Sequence, residues 1–261
     1  MKLTRFALFI FTVSCLSTFA FAQKLPDKPY TKWNQDDVKK VLYNKPFSDQ
    51  YVSEKASNNV AITNNARQQS DTSLGIGGND RGSMARTLTA PPVVIRLHSS
   101  SPIRQAMVRL RQLGAEYDKM SADDQKKFDA SQATLLNCAI CKDYYVVTLM
   151  KFKDSSAGSV NLGLFQNMKL EDFKGKMWLA NDKGERREVE QFTAAKGAND
   201  MSVFFFKRLD DKGNPLLTPD SKTLKIVFDS YLRENSADGW MIPSTFEFQV
   251  AKIIIDGKVD F

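Results

Sequence analysis

Tyr144-Tyr145-Val146-Val147-Thr148-Leu149 is the stretch on which the fold turns. Tyr145, Val147 and Leu149 alternate with Tyr144, Val146 and Thr148, which is the period of a strand, because successive side chains of an extended backbone point to opposite faces. The same period returns at Leu224-Ile226-Phe228 against Lys225-Val227-Asp229, and at Phe246-Phe248-Val250 against Glu247-Gln249-Ala251. Further strands are expected at Lys176 to Ala180, Arg186 to Thr193 and Met201 to Arg208. The triplet Phe204-Phe205-Phe206 reads as a strand buried on both sides; the rival, an exposed lipid-binding wedge, would be an aggregation hazard on an edge. Polar turns separate these runs: Asn181-Asp182-Lys183-Gly184, Asp210-Asp211-Lys212-Gly213-Asn214-Pro215 and Asp256-Gly257. Short strands joined by polar turns imply an antiparallel β-sandwich, mainly β within the α+β class.

Working towards the N-terminus, Val93-Val94-Ile95-Arg96-Leu97 is β-branched and follows Pro91-Pro92, which suits a strand entered from extended chain. Ser101-Pro102 then reads as a helix start, with Ser101 as the cap and Pro102 at the first helical position. Ile103, Ala106, Met107, Leu110 and Leu113 form its apolar face, Arg104, Arg109 and Arg111 project elsewhere, and Gly114 closes it. Ser121 before Asp123 and Asp124 starts a second helix, expected to end near Ala130. Together they make a two-helix insertion at about 102–131 in a sandwich domain spanning 91–261.

Residues 54–90 are dominated by Asn, Gln, Ser, Thr and Gly, which cannot bury enough apolar area to offset ordering entropy, so they read as a flexible polar linker. Segment 23–53 before it holds a short helix. Asn34 caps a first turn carrying Asp36 and Asp37, favourable at the positive end of the helix dipole, and Pro46 ends it. Trp33, Val38, Val41 and Leu42 fall on one side, and a helix this short is marginal alone, so that side is expected to dock on the main domain or on a partner.

The first 22 residues carry Lys2 and Arg5, an apolar run from Phe6 to Val13 and a close on Ala20-Phe21-Ala22, the layout of a secretory signal peptide. An uncleaved anchor and lipid attachment at Cys15 are the lesser alternatives. No later stretch is long enough for an integral membrane segment. Export to the periplasm or beyond is the expectation, and cleavage removes two cations, taking the formal net charge from +7 to +5. The charges are interspersed, without a basic stripe carrying stacking aromatics, so no nucleic-acid partner is expected.

Cys138-Ala139-Ile140-Cys141 is the most specific local feature. Haem attachment needs a histidine at position 142, which is Lys. Zinc needs two more Cys or His ligands, and only His98 and Cys15 remain. What is left is a structural disulfide at the entry of a strand, or a redox-active pair, with Cys138 as nucleophile and Cys141 resolving. His98 is the sole histidine and stands beside Ser99, Ser100 and Ser101, but without a Gly-x-Ser-x-Gly elbow a hydrogen-bonded or solvated strand-end residue is the plainer reading. Gly75-Ile76-Gly77-Gly78 lacks the strand and the Gly-Lys-Ser of a phosphate loop. Of Trp33, Trp178 and Trp240, the last lies in a loop and is the better candidate for the surface. No metal and no cofactor are assigned, and the oligomeric state is left open.

The run Trp33 to Leu42 with Pro46-Phe47, together with Pro92 to Ile103 and Cys138 to Val147, resembles a group of uncharacterised exported bacterial proteins. These open with a tryptophan, an acidic helix start and a proline followed by an aromatic residue; here that aromatic is Phe47, where tryptophan is more usual. The resemblance covers about half of the chain beyond the signal and implies export and a shared fold, with no chemistry. The resulting expectation is a non-enzymatic binding or structural envelope module whose candidate partner contacts are Trp33, Val38, Val41, Leu42 and Trp240. A thiol redox enzyme using Cys138 and Cys141 is the alternative.

Overall fold

In the computed structural model, residues 25–51, 93–151, 163–197, 200–235 and 242–261 are described. The expected signal, linker and Trp240 lie outside them, as does Cys15.

Two antiparallel sheets face each other. The first has the order β1-β2-β3-β7-β6, built from β1 (Ser48–Tyr51), β2 (Val93–Leu97), β3 (Tyr144–Lys151), β7 (Ser202–Lys207) and β6 (Gln191–Thr193). The second has the order β5-β4-β8-β9, from β5 (Arg186–Glu188), β4 (Met177–Asn181), β8 (Thr223–Phe228) and β9 (Thr245–Gln249). A small hairpin, β10 (Ile254–Ile255) and β11 (Lys258–Val259), turns at Asp256-Gly257. Tyr145, Val147 and Leu149 enter the core with Phe204 and Phe206 from one sheet; Leu224, Ile226 and Phe228 enter it from the other. Phe165 bridges the layers, its ring 5.9 Å from Phe204 edge-on and 6.3 Å from Phe228 in a stack.

The helices are α1 (Gln35–Tyr43), α2 (Ser101–Gly114), α3 (Ala122–Asn137) and α4 (Ser230–Glu234). Asn34 and Asp37 form a reciprocal capping box on α1. α2 and α3 stand between β2 and β3 as the two-helix insertion.

Several expectations change. The cap of α2 is Ser100, one residue earlier, with Pro102 in the second helical position. α3 runs on to Asn137; Gln132 is its one buried residue, so no apolar stripe marks its last two turns in the sequence. On α2, Leu110 is exposed while Arg109 is buried, because the helix packs between α1 and α3 and Arg109 donates to the carbonyl of Trp33 (2.8 Å) and pairs with Asp118 (3.0 Å). The run 186–193 is two strands: buried Val189 and the adjoining Glu190 form a corner that carries the chain from one sheet to the other. In the Phe triplet, Phe204 and Phe206 are fully buried, whereas Phe205 is half-buried on the other face, edge-on to Tyr144.

The N-terminal segment is more than a helix. Its Ser48–Tyr51 pairs with β2 as an edge strand, and Trp33, Val38, Val41 and Leu42 are all buried in the protein's own core, Leu42 at 2% exposure. The indole of Trp33 donates to the carbonyl of Lys28 at 2.9 Å. These four candidate partner contacts therefore have no free surface to offer; the apolar side docks internally because one short helix cannot hold that area in water.

Candidate functional site

β2 ends where β3 begins and β7 ends, as the register Leu97 with Val147 and Tyr144 with Lys207 requires. This one end of the five-stranded sheet gathers His98-Ser99-Ser100, the start of α2, the end of α3, the Cys138–Cys141 loop, Arg208 and residues Asp260 and Phe261.

Cys138 and Cys141 form a disulfide. Cys138 is the C-terminal cap of α3 and takes the left-handed conformation (φ 40°), the place where helices commonly end on glycine. Cys141 is buried, and its carbonyl accepts from the Arg208 Nε at 2.7 Å. The Arg208 guanidinium lies 4.4 Å from the centre of the Tyr145 ring, and Phe261 stacks on that ring at 5.1 Å. The Tyr145 hydroxyl accepts from the Leu217 N–H (3.2 Å). Burial raises the Tyr145 pKa and lowers that of Arg208.

The three serines are committed to local structure. The Ser99 hydroxyl accepts from the Val146 N–H (3.1 Å), and the Ser100 hydroxyl donates to the Leu97 carbonyl (2.7 Å). Ser101 offers its N–H (3.0 Å) and its hydroxyl to the Asp260 carboxylate, which thereby caps the positive end of α2. A hydrolytic triad needs the imidazole between hydroxyl and carboxylate. Here the carboxylate meets Ser101 directly, and the Nδ1 of half-buried His98 has no hydrogen-bond partner among the described residues. Burial, then the charges of Arg104, Arg96 and Arg111, lower its pKa to about 4, so the ring is neutral at pH 7.

On the face of β2 and β3 turned away from the sandwich core, Ser48, Arg96 and Thr148 stand side by side in register. Arg96 is 4% exposed and Thr148 1%. Arg96 donates to the carbonyl of Leu42 (2.8 Å) and to the Met150 sulfur (3.1 Å), with its guanidinium 5.0 Å from the Tyr43 ring centre. The Thr148 Oγ1 is buried with no hydrogen-bond partner among the described residues. Arg104 donates to the carbonyls of Leu136 (3.1 Å) and Ser99, and Arg111 to the Gln132 amide oxygen (2.6 Å).

Sequence reasoning singled out His98 with the serines at the close of one strand and the cysteines at the entry of another; that they share one end of the sheet, with Arg96, Thr148, Arg208, Tyr145 and Asp260, came only from the structure. One signal was present: Arg96 is the single charged residue in an otherwise apolar strand. Among the described residues no group of three or more His, Cys, Asp or Glu residues could hold a metal ion, and no helix is long and apolar enough to cross a membrane.

The fold and this end of the sheet define an antiparallel β-sandwich closed by a disulfide loop and a polar, arginine-rich corner. No family model, no curated protein and no solved structure matches the chain.

Proposed function

We propose that this protein is an exported, non-enzymatic module that binds or braces another component of the bacterial envelope, with Cys138–Cys141 as a structural clasp. The position of the pair carries the reading. Reactive thiols of this spacing draw on a helix N-terminus or a free neighbouring cation. Cys138 closes α3 at its C-terminal end, where unpaired carbonyls disfavour a thiolate, and opens only the single 3-10 turn Ala139–Lys142, while Cys141 is buried. Of the nearby cations, Arg208 is engaged by the Cys141 carbonyl and the Tyr145 ring, and Lys142 beside Cys141 is exposed to solvent. The clasp thus ties the end of α3 to the entry of β3. Export is supported by the signal-like residues 1–22, by the resemblance to exported bacterial proteins, and by a disulfide that suits an oxidising compartment.

A partner that reaches α1 meets its polar side, where Asp36, Lys39 and Lys40 are exposed. Charge reversal at Lys39 and Lys40 is therefore the change expected to weaken that contact, and added salt should weaken it too.

The test is quantitative thiol labelling of the purified protein, native and unfolded, across graded reduction. A bond that resists mild reductants and yields no fast-reacting thiol below neutral pH supports the clasp. If it opens near the potential of an oxidoreductase and Cys138 reacts fast, the thiol enzyme replaces this reading.

A further inference from the structure

Residues 25–51 fold as an arm, α1 followed by β1, that sits in a seat made by β2 and α2. The arm fills the seat with the buried side chains of Trp33, Val38, Val41, Leu42 and Phe47, which share one cluster with Ile95, Leu97, Ile103 and Ala106. Two buried arginines of the seat hold the main chain of the arm. Arg109 donates to the carbonyl of Trp33, just before the helix, and Arg96 to the carbonyl of Leu42 (2.8 Å), in its last turn. Carbonyls of a last turn lack helical partners and carry the negative end of the helix dipole, so α1 supplies Arg96 with the counter-charge that no carboxylate among the described residues supplies. An empty seat would be costly on three counts. It would expose the apolar cluster, leave both arginines without these carbonyls, and open the edge of β2, whose Val93, Val94, Ile95 and Leu97 are buried.

Nothing in these contacts requires the arm to be the chain's own. Tyr51, the last residue of the arm, is the ladder partner of Val93, the first of β2, and only residues 52–92 join the two along the chain. Their contour exceeds about 100 Å, enough to reach the seat of a neighbouring copy. We propose that the seat on β2 and α2 accepts residues 25–51 of a second copy of this chain, so that concentrated copies exchange arms and become linked. The interface is the one already made within a single chain, so its fit is complete, and concentration sets the choice between the chain's own arm and a neighbour's. A tether gives the chain's own arm an effective concentration of about 1 mM or less, falling as the tether lengthens. Reciprocal exchange closes a pair, whereas exchange from copy to copy extends a filament. The second form would serve the bracing role proposed above, but exchange itself rests on neither export nor the Cys138–Cys141 bond, since no residue of the clasp takes part in these contacts.

Gln50 and Val94 lie opposite each other in the β1–β2 ladder at a non-hydrogen-bonded position, since Phe47 and Leu97, three positions away, are a hydrogen-bonded pair. Cysteines at such a position meet the spacing of a disulfide. The purified chain carrying Gln50→Cys and Val94→Cys, as equal parts of isotope-labelled and unlabelled protein, is unfolded in urea and refolded at about 10 μM and at about 1 mM, one below and one at the effective concentration of a tether. It is kept reduced until refolding is complete, then diluted and oxidised, and peptide mass spectrometry reads which arm lies on which seat. The expected result is a bond between positions 50 and 94 of a labelled and an unlabelled copy, at least about tenfold more abundant after refolding at the higher concentration. The parent chain, refolded in the same way, should show by light scattering a dimeric or larger mass that survives dilution. Exchange is overturned if, at the higher concentration, every 50–94 bond joins positions of the same isotope, because each arm has then stayed at home even where copies associate through another surface. The parent carries no added cysteine, so its mass decides the matter if the double variant folds poorly: a parent chain that is monomeric at the higher concentration also overturns exchange.

Discussion

Leu42→Ala separates an N-terminal helix that belongs to the core from one held ready for a partner. Leu42 is 2% exposed and lies in the same cluster as Val38, Phe47 and Ile95. Truncating a buried leucine removes its transfer free energy and leaves a cavity whose surroundings relax only in part, and such changes cost about 2–5 kcal/mol. Since Leu42 is held between α1 and the sheet, through Arg96 on its carbonyl, the site has little freedom to collapse, and we expect about 3 kcal/mol. Urea unfolding of the purified chain, followed by fluorescence, reads this directly. With a slope of about 2–3 kcal/mol per molar for a domain of this size, the midpoint should fall by about 1–1.5 M. Lys39→Ala on the exposed side of the same helix should stay within about 0.5 kcal/mol. A loss below about 0.5 kcal/mol for Leu42→Ala, with an unchanged slope, would refute the placement of α1 in the core.

Three further expectations can be checked on the same purified chain. His98 has a folded pKa of about 4 against an ordinary 6.5, so the unfolded state binds more protons in that window: stability is complete above pH 6.5 and declines as the pH falls towards 4, by at most about 3 kcal/mol. Replacing His98 by Gln should flatten this part of a stability–pH curve, and an unaltered curve would show that carboxylates carry the decline. Asp260→Asn removes the charge that accepts from Ser101 in the first turn of α2 and should cost about 1 kcal/mol, measured as loss of the unfolding midpoint, with hydrogen exchange rising first in the opening turn of α2. Reducing Cys138–Cys141, or replacing both by Ser, should cost about 2 kcal/mol on the chain-entropy model, because so short a loop constrains little of the unfolded chain; a loss of 4 kcal/mol or more would mean that the clasp holds α3 and β3 in register.

Period-two alternation was legible wherever one face is buried and the other is not, as along β8, where Leu224, Ile226 and Phe228 are buried and Lys225 and Val227 are not. It failed at β1, since Ser48-Asp49-Gln50-Tyr51 has no apolar face of its own and becomes a strand by borrowing hydrogen bonds from β2. It failed too at the end of α3, where so little is buried that periodicity had nothing to report. The 186–193 run looked continuous because a corner between two sheets costs no change of composition, only a bend at Val189-Glu190. Of the polar corner, the cysteines and His98 were visible as rare residue types. Arg96 and Thr148 were not, because each is ordinary in its own strand and becomes unusual only when register sets them side by side and burial removes water.

The sequence by itself determined the antiparallel sandwich, the capped N-terminal helix, the two-helix insertion and the local Cys138–Cys141 loop. All four are written in nearest-neighbour terms: side-chain period, cap residues, turn residues and a spacing of three. Only the tertiary structure decided that Trp33, Val38, Val41 and Leu42 close the protein's own core, and that Asp260 returns across the chain to cap α2. It alone placed Arg96, which pairs with no carboxylate among the described residues, in register beside Thr148, whose buried hydroxyl has no hydrogen-bond partner among them. Such pairings join residues dozens or more positions apart, and their free energy depends on which atoms exclude water together, a quantity no local pattern carries.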